Sequence, residues 1–143
     1  MFGLGKKKFT EIHIDHELVE EIEDIAKESY PIEFSAMLQG KVEKSILKID
    51  GLIFLPGAAS ESGAVMEIFM MPMLSDAVGS VHSHPGYSAE PSGADLQFFA
   101  KRGYFHIIIA QPYNDDSIRA YNSFGELVDY TLVWNILFFS EIN

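Results

Sequence analysis

The chain has no cysteine in its 143 residues, and that absence closes several readings at once. No disulfide framework is available, and no thiolate can hold a zinc ion. A zinc deaminase, which needs a P-C-x-x-C element, is excluded with it. Positive charge is also scarce: 10 Lys and Arg stand against 21 Asp and Glu, a net charge of −11. That balance argues against nucleic acid and against an anionic membrane as the main partner. Long apolar runs are missing too, since no uncharged stretch reaches the ~18 residues of a membrane span. Met1 to Lys8 carries basic residues but no apolar core follows, so no signal peptide is expected and the cytoplasm is the default compartment.

What is present has an ordinary globular balance, 48% apolar and 22% charged, and the length suits one domain with a continuous core. Residues 1–10, with Gly3, Gly5 and three lysines, read as a flexible leader, and 11–143 as the domain. Asp15 is placed to cap a helix that runs to about Ser29. Its apolar stripe is Leu18, Ile22, Ile25 and Ala26, opposite an acidic face of Glu17, Glu20, Glu21, Glu23 and Asp24. His13 and His16 are expected to face water, and the Tyr30-Pro31 step ends the helix. Phe34 to Leu38 is an apolar strand, and Gly40 to Ser45 a turn into a long strand from Ile46 to Leu55. Pro56 to Gly63 reads as a loop and Ala64 to Met70 as another strand. Met66, Met70, Met71 and Met73 around Pro72 read as core filling.

Ser75 to Val81 is the next strand. Tyr104 to Ala110 is apolar almost throughout, as an inner strand should be, with His106 expected as a satisfied core histidine. Ser117 to Tyr121 and Glu126 to Trp134 are expected to form a hairpin around Ser123-Phe124-Gly125. The apolar stretch from Leu132 to Phe139 either docks on the sheet or makes a contact between copies, a homo-oligomer. The order of elements predicts a single α/β domain, a curved mixed β-sheet with flanking helices.

One stretch carries chemistry: Gly79-Ser-Val-His82-Ser-His84-Pro-Gly-Tyr-Ser-Ala-Glu-Pro-Ser92-Gly-Ala-Asp95. Side chains alternate along a strand, so His82 and His84 are expected on one side. Ser92 opens a helix and puts Asp95 in its first turn, three and four residues before Phe98 and Phe99, hence facing inward. An inward carboxylate needs a partner. Two imidazoles and a carboxylate can close on one small cation with a position left for water, the donor set of a catalytic zinc site. Ser92 and Asp95 also fit a capping box, which needs no chemistry. Glu33 stands alone beside an apolar segment, where a carboxylate costs free energy unless it has a role or a salt bridge.

His82-Ser-His84-Pro, the ten residues between His84 and Asp95, and Pro91-Ser92-x-x-Asp95 resemble the JAMM motif of the MPN (JAB) metallopeptidase family. Glu33 in Pro31-Ile-Glu33-Phe-Ser-Ala-Met-Leu-Gln-Gly40 matches the upstream glutamate of that motif, and the compact archaeal form is the most similar. The resemblance implies a cytidine-deaminase-like MPN fold and Zn²⁺ held by His82, His84 and Asp95. It further implies Glu33 as general base and Ser92 as oxyanion donor. It points to hydrolysis of the isopeptide link between a ubiquitin-like modifier and a lysine of a protein conjugate. The loop from Gly86 to Glu90, with Tyr87 at its tip, is expected to wall the substrate groove, with the substrate tail extended along a strand edge.

Rival readings come from other classes. Two histidines and one carboxylate are also the facial triad of non-haem Fe(II) oxygenases, although Glu33 and Ser92 would then be idle. A non-catalytic MPN scaffold is another, set against the presence of every motif residue. Within the same chemistry, the substrate could be a sulfur-carrier protein or a peptide.

Overall fold

A computed structural model describes residues 8–54 and 77–134. Contacts begin inside the expected leader: the Phe9 ring packs on Tyr104 with centroids 5.2 Å apart, and the Thr10 amide donates to the Ser45 carbonyl at 2.8 Å. A strand that the apolar pattern does not announce follows, β1 (Glu11–Asp15), in which Ile14 alone is fully buried. It leads straight into helix α1 (His16–Ser29), whose first turn is closed by the Asp15 carboxylate accepting from the Glu17 amide at 3.2 Å. The helix buries Leu18, Val19, Ile22 and Ala26. His13 and His16 are half-buried rather than fully in water: the first bonds Glu11, and the second stacks on Trp134.

The hairpin of β2 (Ser35–Glu43) and β3 (Ile46–Ile53) turns at Lys44-Ser45 alone, both with positive φ, as a tight two-residue turn requires. The broader turn expected from Gly40 does not form. A register shift at Gln39/Gly40 carries β2 onward, and any side chain at Gly40 would meet the Lys48 carbonyl at 2.5 Å. Beyond 54 the structure resumes at β4 (Ala77–Ser83), followed by α2 (Gly93–Phe99), β5 (Phe105–Ile109), a 3-10 turn (Asp115–Ser117), β6 (Ile118–Tyr121) and β7 (Thr131–Val133). Helix α2 stops at Phe99, with Ala100 as its C-cap. The Lys101 and Arg102 amides both bond the Phe98 carbonyl, and Gly103, at φ +77, turns the chain against β4 where a side chain would strike Val78.

The strands form one mixed sheet of seven in the order β6-β5-β4-β2-β3-β1-β7. β1 is parallel to β3 and β7, and β4 to β5; the remaining pairs are antiparallel. The expected terminal hairpin only begins. Leu127 bridges Tyr121 and Val128 bonds Ala120, but β7 then pairs with β1 at the opposite edge. Burial accounts for the departure: Val128, Tyr130 and Leu132 pack on the core beneath α1, and the Tyr130 ring meets Phe105 at 6.3 Å.

The sheet separates two apolar layers. On one face α1 packs on Ala36, Leu38, Leu47, Val81, Ile107 and Ile109. On the other, Phe98 and Phe99 of α2 pack with Met37, Ala77, Ile108 and Tyr121. Each of these two phenylalanines is fully buried and contributes roughly 2–3 kcal/mol of transfer free energy. The predicted α/β domain with a curled mixed sheet and helices against it is therefore the observed one. No helix among the described residues is long and apolar enough to cross a membrane. The expected loop at 56–63, the strand at 64–70, the methionine cluster and residues 135–139 lie outside the described residues.

Candidate active site

The site lies on the α2 side of the sheet, where β4 ends and α2 begins. β4 is buried at every position, between β2 and β5. Its register places Ser35 opposite His82 and His106 opposite Ser80. These residues form a buried polar row. The Ser35 hydroxyl is 3.0 Å from His82 Nδ1, Ser80 Oγ is 3.1 Å from His82 Nε2, and Ser80 Oγ is 2.8 Å from His106 Nδ1. Phe98 meets the His82 ring edge-on at 5.3 Å. Burial holds His82 neutral, its pKa pushed down to about 4 despite the nearby Asp95 charge. His106 is pushed down to about 3 by the same cause. Its Nε2 makes no hydrogen bond of good geometry among the described residues, although the Gly103 and Phe99 carbonyls lie close enough to favour a proton on the ring.

His84 follows the end of β4 and has a different setting. Its amide is held by the Ile109 carbonyl, and its own carbonyl accepts from the Tyr113 hydroxyl at 2.9 Å. Its Nδ1 lies 3.0 Å from the Ser88 carbonyl, which can only accept, so Nδ1 carries the proton. Nε2 then faces Asp95 Oδ2 at 3.2 Å. In a neutral ring that nitrogen is a bare lone pair, and a lone pair opposite a carboxylate oxygen requires a cation between them, either a proton or a metal ion. The His84 pKa is raised accordingly, chiefly by the Asp95 hydrogen bond and against the cost of burial.

Asp95 is 2% exposed and points inward, as its place before Phe98 and Phe99 predicts. Burial alone would raise its pKa. The His84 bond, the Ser92 amide and the two imidazoles outweigh burial and hold it below the usual carboxylate range. Ser92 and Asp95 form a reciprocal capping box: Asp95 Oδ2 accepts from the Ser92 amide at 2.8 Å, and Ser92 Oγ accepts from the Asp95 amide at 3.1 Å. The cap uses the serine oxygen as an acceptor and leaves its hydroxyl proton to donate. Glu33, half-buried just before β2, has its pKa raised by burial. The charges of His84, which lowers it, and Asp95, which raises it, both reach this carboxyl.

The donor set fits a divalent ion in kind. His84 and Asp95 are already apposed around the place a cation must take, with the outer nitrogen of His84 bonded to a carbonyl as metal-bound histidines usually are. His82 is neutral, as a ligand must be. Its ring, however, is turned into the serine row, and no three His, Cys, Asp or Glu side chains among the described residues are grouped to hold one ion as they stand. To join the other two around an ion, His82 would have to give up the Ser80 hydroxyl.

Ser35, Ser80, Tyr113 and Gln111 were not singled out by the sequence reading. Ser80 was within reach of it, two residues before His82 on an alternating strand. Ser35, and the partnership of His106 with Ser80, become visible only once the strand register is known. Gln111 bonds the Pro85 carbonyl through its side chain and the Gly86 carbonyl through its amide, and Tyr121 donates to the Ala89 carbonyl at 2.7 Å. The loop after His84 is thus tied down along its length. Beyond it runs a groove of about 1120 Å³, lined by Tyr87, Ala89, Pro91, Leu96, Arg119 and Tyr121 among others.

Residues 15–123 match the family model described as prokaryotic homologs of the JAB domain. A probable metalloprotease of Haloferax volcanii is 33% identical over 113 residues, which are 74% of this chain and 70% of that one. A JAB1/MPN domain protein from Archaeoglobus fulgidus superposes with a TM-score of 0.67 at 36% identity, over 85% of this chain and 98% of its own. A structure described as a JAMM metalloprotease-like zinc site in the proteasome and signalosome superposes with a TM-score of 0.66 at 35% identity, covering 87% and 99%.

Proposed function

Because the chain belongs to the JAB-domain family of prokaryotic homologs, we propose that it is a zinc-dependent metallohydrolase that cleaves isopeptide bonds, releasing a ubiquitin-like modifier from lysines of protein conjugates in the cytoplasm. The observation that carries the reading is the facing pair of His84 Nε2 and Asp95 Oδ2, 3.2 Å apart, with neutral His82 beside them and a separate carboxyl, Glu33, within reach of their charges. The metalloprotease name of the Haloferax relative and the zinc site of the JAMM structure support it.

His82, His84 and Asp95 would hold the ion. Zinc in such a site supplies Lewis acidity, which makes water give up a proton near neutral pH and polarises a carbonyl. The rest falls to the chain. Glu33, with its pKa raised, takes the proton from the attacking water as the C–O bond forms. It then delivers that proton to the amine nitrogen as the C–N bond breaks. The amide yields a carboxylic acid and an amine, and Glu33 ends as it began. The Ser92 hydroxyl donates to the oxyanion that develops on the substrate carbonyl. The fixed loop from Gly86 to Glu90, with Tyr87 79% exposed, forms one wall of the groove in which the substrate tail lies. Leu127 and Val128 cover part of the β6 edge, so backbone pairing there is open chiefly at Ile118 and Arg119.

Glu33→Gln tests the assignment directly, with zinc content and cleavage of a modifier–lysine conjugate measured on the same preparation. Zinc is retained and turnover falls by about 10²–10⁴, the usual contribution of general acid–base catalysis. Loss of the metal would make Glu33 a ligand, and unchanged turnover would remove it from the mechanism. Iron in place of zinc, with oxygen consumption, would replace the hydrolase by an oxygenase.

A further inference from the structure

The main chain of His84 is fixed on both sides, and one of the two fixings is a side chain that the proposed reaction leaves unused. The His84 amide donates to the Ile109 carbonyl at 2.8 Å, and its carbonyl accepts from the Tyr113 hydroxyl at 2.9 Å. These two groups belong to the two peptide planes that flank the His84 Cα. Each plane is rigid, so pinning both sets φ and ψ of His84 and with them the direction of its side chain. Gln111 bonds the Pro85 and Gly86 carbonyls, one and two planes further on. The plane between His84 and Pro85 is therefore held by Tyr113 itself.

Tyr113 reaches that carbonyl at a conformational cost. Its φ is +62°, a left-handed backbone that bulky side chains rarely adopt. Among the described residues the other non-glycine positions with positive φ are Lys44 and Ser45, in the hairpin turn that requires it. Tyr113 has no such turn around it and lies in the connection from β5 to the 3-10 turn. Its amide donates to the Ala110 carbonyl at 2.8 Å, the Ala110 amide to the Ser117 carbonyl at 3.1 Å, and Asn114 Oδ1 accepts from the Asp116 and Ser117 amides. That closed loop imposes the backbone. The ring is 5% exposed, packs in the apolar layer under α1 and meets Tyr30 edge-on at 6.4 Å. Burial raises the phenol pKa, with Tyr30 and the Glu33 charge adding to it, so the hydroxyl keeps its proton and donates. A glycine would take the same φ without strain but would bring no donor. Strain of this kind persists where the surroundings over-determine it, and it gathers at functional sites.

We propose that Tyr113 is a positioning residue: its hydroxyl fixes the peptide plane after His84 and so holds the His84 ring against Asp95 before any cation arrives. The inference rests on the reading of His84 as a ligand, but the brace itself can be measured without metal. Tyr113→Phe keeps the ring and the backbone and deletes the hydroxyl alone. In metal-free protein, hydrogen exchange of the His84 and Gln111 amides should then quicken about 5-fold, the worth of one hydrogen bond. Amides of the β2–β3 hairpin should keep their protection. Zinc affinity by chelator competition should fall about 10-fold, the low end for a partner of a metal ligand. Saturating zinc should bring cleavage back to within about 3-fold of wild type, because the general base is untouched; Glu33→Gln should show no such rescue. Tyr104→Phe is the matched control. That hydroxyl is buried in the same layer with no hydrogen-bond partner among the described residues, and its loss should change neither local exchange nor zinc affinity.

Unchanged exchange at His84 and Gln111, or an unchanged zinc affinity, in Tyr113→Phe would overturn the proposal. So would protection lost in the hairpin as much as at His84, which would make Tyr113 a residue of the fold at large. A wild type that takes up no zinc would instead sink the metallohydrolase reading, with the exchange rates still deciding for or against the brace.

Discussion

His82 and His84 are two residues apart and occupy opposite environments. The first is 1% exposed, enclosed by strands on both sides, bonded to two serine hydroxyls and neutral. The second lies past the end of β4 with its side chain 18% exposed, fastened through its backbone to β5 and Tyr113, and drawn towards a positive charge by Asp95. A ligand buried in the sheet is built by the core and contributes to its stability. One at the rim is built by a loop and a helix cap and can be lost without harm to the fold. The His-x-His spacing specifies two donors but not this division between them.

The largest effect should come from Asp95, which bonds His84 and whose charge reaches His82. Asp95→Ala removes the carboxylate that faces His84 and one half of the capping box. Zinc content should drop to background and cleavage by at least about 10³-fold, with only about 1 kcal/mol lost from the cap. Metal analysis and a denaturant melt check the two parts separately. Next, His82→Ala and His84→Ala should both lose zinc yet differ in stability. The first leaves a cavity and an unpaired Ser35 hydroxyl in the core, with Ser80 still bonded to His106, and should cost roughly 3 kcal/mol, whereas the second should cost less than about 1 kcal/mol. Equal costs would erase the distinction between the sites.

pH sharpens the comparison in metal-free protein. The folded-state pKa of His82 is depressed to about 4, so the unfolded chain binds the extra proton between that value and its ordinary ~6.5. Its contribution, on the order of 3 kcal/mol, is present at neutral pH and is lost as pH falls through that window. The folded-state pKa of His84 is raised, so its contribution has the opposite sign: it is fully present below ~6.5 and disappears as pH rises through the folded value. Urea melts of His82→Ala and His84→Ala against pH should therefore slope in opposite directions relative to the wild type. The smallest structural effect belongs to Ser92→Ala, about 1 kcal/mol from the helix cap. If Ser92 also serves the oxyanion, the same change should lower turnover by about 10²–10³ at unchanged zinc content. Turnover that falls no further than stability explains would leave Ser92 a cap only.

Much of this was legible in the chain itself. Asp15 and Ser92 announced their helices because a cap is a local event, and the inward direction of Asp95 followed from its distance to Phe98 and Phe99. The apolar run from Tyr104 to Ala110 reads as an inner strand, and β5 within it lies between β4 and β6. What local pattern did not contain was partnership. β1 is too short and too polar to stand out, and its place depends on β3 and β7. The turn at Lys44-Ser45 gained two positive-φ residues without a glycine at either position. The row from Ser35 to His106 comes from three separate strands, and only their register brings it together.

The pairing of β7 with β1 has a consequence for how the molecule comes into being. β1 is made well before β7, and among the described residues its outer edge finds no strand until Thr131–Val133 has been made. Until then a row of unsatisfied amides and carbonyls stays open to other nascent chains, while α1, β2 and β3 can already assemble around β1's inner edge. The pairing of β1 with β7, distant in the chain and adjacent at one edge of the sheet, is thus a late and slow long-range closure. A pause in translation before residue 131 would prolong the interval in which the half-built sheet can aggregate.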